Sequence, residues 1–168
     1  MNTIFTTNRI KTRQINISDI ENMLVMNSDA ESMRYVGTGK IKDYNATRIS
    51  IQKMIDLDKK FGYSFWACEL KSNNKFIGWA GLKNLELTEE IELGFRFAKE
   101  HWNNGYATEV GEAIIKYAFT YYNFNRLMAR VHKSNVASQK VLKNIGMILE
   151  KTKMYNGEYV EYYSIVRD

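Results

Sequence analysis

The sequence predicts a mixed α/β (α+β) domain, and three features carry that reading. Strand and helix periodicities follow one another in the order β-α-α-β-β-β-α-β-α-β-β, several strands fall into hairpins, and one strand passes through a glycine turn into a long amphipathic helix. Neither a purely parallel βαβ array nor a two-sheet sandwich has that order. With 168 residues, of which 45% are hydrophobic and 13% aromatic, the chain can bury a sizeable core. Residues 1–168 therefore read as one folded domain, not as a disordered tail.

From Arg9 to Ile17, charged and less polar residues alternate as in a half-exposed strand. Ser18 and Glu21 then have capping-box spacing, and Ile20, Met23 and Leu24 share a face, which predicts a first helix to about Asn27. After a loop containing Gly37, Thr38 and Gly39, the segment from Asn45 to Phe61 places Ile51, Met54 and Ile55 at helical spacing, with Gly62 at the expected C-cap. Tyr63 to Lys71 and Lys75 to Asn84 are β-rich runs around Ser72-Asn73-Asn74, a predicted hairpin. In the next run, Glu90 to Ala98, Ile91, Leu93, Phe95 and Phe97 alternate with Glu92, Gly94 and Arg96; a mid-strand glycine marks a bulge or a close backbone approach. Asn103-Asn104-Gly105 leads into a helix whose apolar positions include Ala107, Val110, Ile114 and Ala118. Leu127 to Val131 reads as a short strand and Asn135 to Asn144 as a helix ending at Gly146. Met147 to Tyr155 and Glu158 to Val166 flank Asn156-Gly157, the strongest short hairpin signal.

Charge and cysteine content narrow the function. The chain has 24 Lys and Arg against 19 Asp and Glu, a formal +5. Such an excess suits either nucleic acid or a small phosphorylated polyanion. It is concentrated between Arg126 and Lys153, where seven basic residues face the single acid Glu150, so that stretch is +6 and the rest −1. The lone cysteine, Cys68, cannot form an internal disulfide, and with only His101 and His132 available no ordinary zinc site is expected. The expectation is a cytoplasmic, metal-free protein. Met1 to Phe5 lack a secretory pattern and no run of eighteen apolar residues occurs, so no membrane association is expected.

The segment richest in chemistry is Gly94 to Ala98, the turn Lys99 to Asn104, and the helix start Gly105 to Glu109. Unpaired amides from about Asn103 to Thr108 point one way and suit an anion. No Lys or Arg lies between Trp102 and Val110, so a phosphate there would rest on amides and the helix dipole. The plainer alternative is a strand-to-helix connection that needs Gly105 only for its geometry.

The run Trp102-Asn103-Asn104-Gly105-Tyr106-Ala107-Thr108-Glu109 resembles the acetyl-CoA pyrophosphate loop of the GNAT N-acetyltransferases, in the branch of the ribosomal-protein alanine acetyltransferases (RimJ/RimL type). Four other pieces agree in order. Thr7 to Arg13 resembles the branch's opening strand, Phe76 to Leu82 its central hairpin, Glu92 to Phe95 its fourth strand, and Asn135 to Met147 its helix with Asn and Ser three apart before a glycine. The resemblance spans the whole chain. It implies a mixed sheet of about seven strands with about four helices, acetyl-CoA (coenzyme A) as cofactor, and a monomer or homodimer without nucleic-acid partners. It places Phe95, Phe97, Trp102, Asn103, Asn104, Gly105, Tyr106, Ala107, Thr108, Asn135 and Ser138 at the cofactor, with Asn135 on the pantetheine arm and Ser138 bonding the sulfur. Tyr35, Trp79 and the loop Val36 to Lys42 would line the acceptor pocket. The chain departs from the family pattern at Trp102, where Gln or Arg is usual, at Met147, where an aromatic is usual, and at Leu142, where many members carry a tyrosine as general acid.

Acyl transfer from a thioester to an amine needs a neutral amine, a stabilised oxyanion and a leaving thiolate. A thiol of pKa about 8.5 leaves acceptably without a dedicated acid, so the loss of a donor at Leu142 costs little. Neutralising an α-amino group of pKa about 7.8 at pH 7 costs about 1.1 kcal/mol, against about 4.6 for a lysine-type amine. Glu92 is the candidate base, sharing a strand face with Gly94 and Arg96; alternatively it belongs with Glu86, Glu89 and Glu90 to a solvated acidic run. Asn135 can also be simply an N-cap. The resulting expectation is acetyl transfer by direct attack in a ternary complex, to a protein or peptide α-amino group. The alternatives are a small-molecule acceptor (polyamine, amino sugar or amino acid), for which the acidic run would serve, and a non-catalytic acyl-CoA-binding module.

Overall fold

The computed structural model describes residues 2–85 and 88–167. Its strands are β1 (Thr3–Thr6), β2 (Ile10–Arg13), β3 (Phe65–Leu70), β4 (Phe76–Asn84), β5 (Ile91–Phe97), β6 (Arg126–His132), β7 (Ile148–Tyr155) and β8 (Glu158–Val166). Its helices are α1 (Ile20–Ser28), α2 (Ala30–Met33), α3 (Tyr44–Phe61), α4 (Tyr106–Thr120) and α5 (Val136–Asn144), with single 3-10 turns at Ile17–Asp19 and Lys99–His101. The strands form one sheet in the order β1-β2-β3-β4-β5-β6-β8-β7.

Alternation along the strands divides the core into two layers. On one face Trp66, Ile77, Leu82 and Leu93 pack with Val110 and Ile114 of α4 and Leu142 of α5; on the other, Ala67 and Phe76 pack with Met23 and Met26 of α1 and Ile51 of α3, with Trp79 against them. Every neighbouring pair of strands is antiparallel except β5 and β6, which run parallel and share a ladder only at Glu92↔Met128. Beyond that step the two strands part, and the opening is what positions the site.

Most predicted elements occur within one or two residues, and the differences have local causes. The sheet has eight strands and not seven, because the four-residue β1 pairs with β2 although it is too short to show a period. The single-turn helix α2 likewise lacks a period; the Asp29 side chain caps it by accepting from the Ser32 amide at 2.6 Å. The strand expected to reach Ile17 stops at Arg13, because a capping box begins at Asn16: its side chain accepts from the Ser18 amide (2.8 Å), and Asp19 accepts from the Asn16 amide (3.0 Å). This box replaces the one expected at Ser18 and Glu21. At the other end, Asn156 and Gly157 turn the β7–β8 hairpin with φ of 49° and 84°, as an Asn-Gly turn requires.

Asp19 is fixed from beneath as well as along the chain. Arg13, on β2, binds it through two nitrogens at 2.6 and 2.8 Å and binds Glu69 of β3 at 2.6 Å, while Lys11 reaches the other Glu69 oxygen at 2.9 Å. Arg13, Asp19 and Glu69 are all buried. Burial pushes the Glu69 pKa up, but the hydrogen bonds from Lys11 and Arg13 outweigh it and hold this carboxyl below the usual range. Replacing Arg13 by Ala strands two buried carboxylates, so unfolding experiments are expected to show a loss of about 3–5 kcal/mol. The stability supplied through Glu69 is complete above the unfolded carboxylate pKa of about 4.3 and drains away as pH falls through its lower native value. The gap between wild type and Arg13→Ala in urea melts should therefore narrow in acid; a constant gap would contradict this account.

Candidate active site

A cleft of about 2540 Å³ follows the opening between β5 and β6. Its walls include β5 from Ile91 to Phe97, the start of α4, the start of α5, and the loop between α2 and α3. Of the residues expected at a cofactor or acceptor, Tyr35, Trp79, Glu92, Phe95, Phe97, Trp102, Asn103, Gly105, Tyr106, Ala107, Thr108, Asn135 and Ser138 line it. Asn104 does not. Its carbonyl accepts from Arg9 Nη1 (3.0 Å) and its side-chain amide donates to the Trp102 carbonyl (2.9 Å), so it shapes the turn instead of facing the cleft.

The turn into α4 is built to leave amides open. Asn103 and Gly105 both have positive φ (60° and 76°), and no side chain caps the helix at Gly105. The amides of Tyr106, Ala107 and Thr108 are the first-turn N–H groups that no helical carbonyl can satisfy. Trp102 anchors the turn by donating from its indole to the Phe97 carbonyl at 2.7 Å. A second anchor was not visible in the sequence: Glu109 accepts from the Thr7 hydroxyl (2.6 Å), the Arg9 amide (2.7 Å) and Arg9 Nε (2.6 Å). The Arg9 guanidinium also lies 4.6 Å from the Tyr106 ring centre. Burial raises the Glu109 pKa, yet the bonds from Thr7 and Arg9 more than reverse this and keep it ionised. Arg9 thereby neutralises the only acid in the first turn of α4, which would otherwise repel an anion.

The opposite wall belongs to the α1–α3 face. Phe65 and Trp79 pack with ring centres 4.4 Å apart and planes tilted by 33°, over Gly94, where a Cβ would come within 2.9 Å of the Phe65 ring. Gly94 therefore marks a close approach and no bulge, since the β4–β5 register is unbroken. Tyr35 stacks on His132 at the end of β6 (5.0 Å, 27°). The His132 ring accepts the Ser134 amide at Nδ1 (3.0 Å) and faces Glu158 through Nε2 (2.9 Å).

Glu92 is 7% exposed and not part of a solvated run. Arg130 of β6 holds it with two bonds of 2.8 and 3.1 Å, and Lys83 of β4 pairs with it at 3.0 Å. Burial raises its pKa, but Arg130 and Lys83 together outweigh burial and set it below the ordinary carboxylate range. Glu90 is also paired, with Arg126 Nε at 3.3 Å, while Glu86 lies outside the described residues. On α5, Asn135 is the N-cap, accepting the Ser138 amide at 3.1 Å, which leaves its NH2 group available to a ligand. Leu142 is 2% exposed within the core, so that position offers no proton donor; Met147 is buried too. Cys68 is buried, and burial pushes its thiol far above the usual range, which makes it unreactive.

Sequence reasoning located the strand–turn–helix and the residues on it. It missed Arg9, Lys83, Arg130 and Phe65, each of which acts through a partner on another element, for which local periodicity holds no signal.

Comparison with known proteins supplies the identity of this arrangement. Residues 9–148 match the model of the acetyltransferase (GNAT) domain. The Bacillus subtilis protein YkkB is 32% identical over 149 residues, covering 87% of this chain and 86% of that one. A GNAT-family acetyltransferase structure from Bacillus anthracis superposes with a TM-score of 0.85 at 23% identity, covering 96% of each chain. The structure of RimL, a ribosomal L7/L12 α-N-protein acetyltransferase in complex with coenzyme A, gives 0.83 at 17% identity over 98% of each chain. The chain therefore belongs to the GNAT acetyltransferase family, as an acyltransferase that takes its acetyl group from acetyl-CoA.

Proposed function

We propose that this acetyltransferase acts on the α-amino group of a protein or peptide, by direct attack of the amine in a ternary complex. The observation that carries this reading is the state of Glu92. Among the expected site residues it is the carboxylate on the cleft wall, and Lys83 and Arg130 make it a weak base. Taking a proton directly from an α-ammonium costs such a carboxylate at least about 5 kcal/mol, and from a lysine-type ammonium at least about 8 kcal/mol. An amine already partly neutral near pH 7 suits this site, and a strongly basic polyamine does not. Within the acidic run, Glu90 and Glu92 are already paired, which reduces what they offer a polycation. The likeness in fold to RimL, whose name describes α-N-protein acetylation, supports the same acceptor class.

The residues fit the cofactor. The uncapped first turn of α4, with its acid neutralised by Arg9, suits the diphosphate of coenzyme A, and Asn135 and Ser138 stand where α5 can hold the pantetheine arm and the sulfur. When bound, acetyl-CoA supplies the activated acetyl group. Glu92 takes up the amine's proton as the new bond forms, directly or through water. Leu142 offers no proton, and a thiol of pKa about 8.5 would leave acceptably without one.

Acetyl-CoA at a hundred times its Kd should stabilise the protein by about 2.7 kcal/mol, roughly 5–10 °C in Tm. Replacing Gly105 by Val, at a φ of 76°, should abolish most of that shift, and Arg9→Ala should weaken it by leaving the Glu109 charge uncancelled in the first turn. A full shift in both variants in a thermal melt would place the diphosphate elsewhere. For Glu92→Gln, kcat should fall about 100-fold with the acetyl-CoA melting shift retained. In both enzymes kcat/KM should rise with pH through about 7.8, the α-amine's own pKa, since Glu92 is ionised well below that range. Turnover unchanged by Glu92→Gln would remove Glu92 from proton transfer.

A further inference from the structure

The acceptor wall carries a second polar group, and it consists of donors. Arg96 on β5 lies directly across from Trp79 on β4. Its Nη1 donates to Asn27 Oδ1 at 2.6 Å and its Nη2 to the Met26 carbonyl, but its Nε–H is buried without an acceptor, and so is the Trp79 indole N–H. Lys42 arrives from the loop before α3: its amide donates to the Asn27 carbonyl (2.8 Å) and its Nζ to Ser50 Oγ (2.9 Å). Lys42, Trp79 and Arg96 all line the cleft. Among the described residues no carboxylate pairs with Lys42 or Arg96, since Asp29 is occupied capping α2 and Glu31 pairs with Lys99. Asp29 acts on Arg96 only as a nearby charge while its own oxygen caps α2, so the two neighbouring cations share a single, already engaged carboxylate and are costly when partly buried. Burial pulls Arg96 down to about 10 against the opposing charge of Asp29, and burial together with the Arg96 charge lowers Lys42.

We infer that Lys42, Arg96 and Trp79 form an anion subsite for the acceptor, so that the preferred amine carries a carboxylate several bonds from its amino group. This deepens the acetyltransferase reading and rests on it. The diphosphate of coenzyme A is not the intended ligand, because the α4 turn packs with the other layer of the core, across the sheet from the side chains of Trp79 and Arg96. Bringing an anion to the two closed N–H groups takes side-chain rotation at the cleft wall, the usual extent of change on binding. Glu92 and Arg96 are four residues apart on one strand, about 13 Å, so an acceptor that reaches both is extended. A peptide with Asp or Glu as its second or third residue has this chemistry, and so does a small amino acid with a long spacer.

The test uses the full chain. In 15N-labelled protein, the Trp79 indole resonance, assigned by its loss in Trp79→Phe, should move on titration with glutarate and stay still with glutaramide. Lys42→Met should weaken the glutarate response about 10- to 100-fold. In transfer assays, peptides with Asp or Glu at position two or three should exceed their Asn or Gln counterparts by a similar factor in kcat/KM, mainly through KM; a set of ω-amino acids against the matching alkylamines separates the peptide from the small-molecule source. An indole resonance indifferent to glutarate overturns the subsite whatever the transfer assay gives, and so does equal use of acid and amide acceptors. Absence of transfer to every amine would sink the acetyltransferase reading of the acceptor, while the titration still decides the subsite.

Discussion

The geometry of the cleft depends on one ion pair, between Glu92 and Arg130. It joins β5 to β6 at the level of their single ladder pair, Glu92↔Met128, with two bonds between side chains that are largely withdrawn from water. A parallel pair of strands that shares one ladder step has little backbone bonding to hold its apex. The bidentate carboxylate–guanidinium contact, reinforced by Lys83 from β4, supplies what the backbone does not. The two strands share no other ladder step, and the cleft runs along the opening between them. Glu92 is thus tied to architecture before any chemistry is asked of it, which is why its basicity is low.

The sheet keeps two kinds of recognition apart. On the α4 side, the proposed diphosphate site consists of neutral amides set by Gly105 and Asn103, with Arg9 engaged in cancelling Glu109. On the α1–α3 side the wall presents full charges, Lys42 and Arg96, beside the packed rings of Phe65 and Trp79. The basic excess from Arg126 to Lys153 divides in the same way. Arg126 and Arg130 are consumed by Glu90, Glu150 and Glu92, whereas Lys140 and Lys151 line the cleft and can draw in a polyanion over the distances at which screened charges still act.

What the sequence made legible is local. The hairpins around Ser72-Asn73-Asn74 and Asn156-Gly157, the helix ending at Gly62, and the strand–turn–helix around Gly105 all announce themselves within a dozen residues, because turn chemistry and periodicity are short-range. The partners are not. Arg9 and Glu109 are a hundred residues apart, Arg13 and Glu69 fifty-six, and Glu92 and Arg130 thirty-eight. No spacing rule links them, so Glu92 could be read as a free base or as part of a solvated run, and its ion pairs were visible to neither reading. The capping box shows the same limit on a smaller scale: Ser18 and Glu21 have the right spacing, but Arg13 holds Asp19 and shifts the box to Asn16.

With Glu92 as the proposed base, its low basicity and the buried Leu142, which offers no proton, leave little acid–base assistance at these two positions. The reaction tolerates this only if the amine is nearly neutral and the thiol is a fair leaving group, and α-amines and thioesters meet both conditions. Discrimination among acceptors then has to come from binding and not from the proton-transfer step. A site of that kind selects by contacts remote from the reacting nitrogen, where each correctly placed charge adds to kcat/KM without altering the chemistry. In the acceptor subsite we infer, the incompletely compensated cations near the α1 end of the cleft are a suitable instrument. They cost stability in the free enzyme and recover it when an acceptor brings the missing anion, so selectivity and the destabilised wall are two consequences of one arrangement.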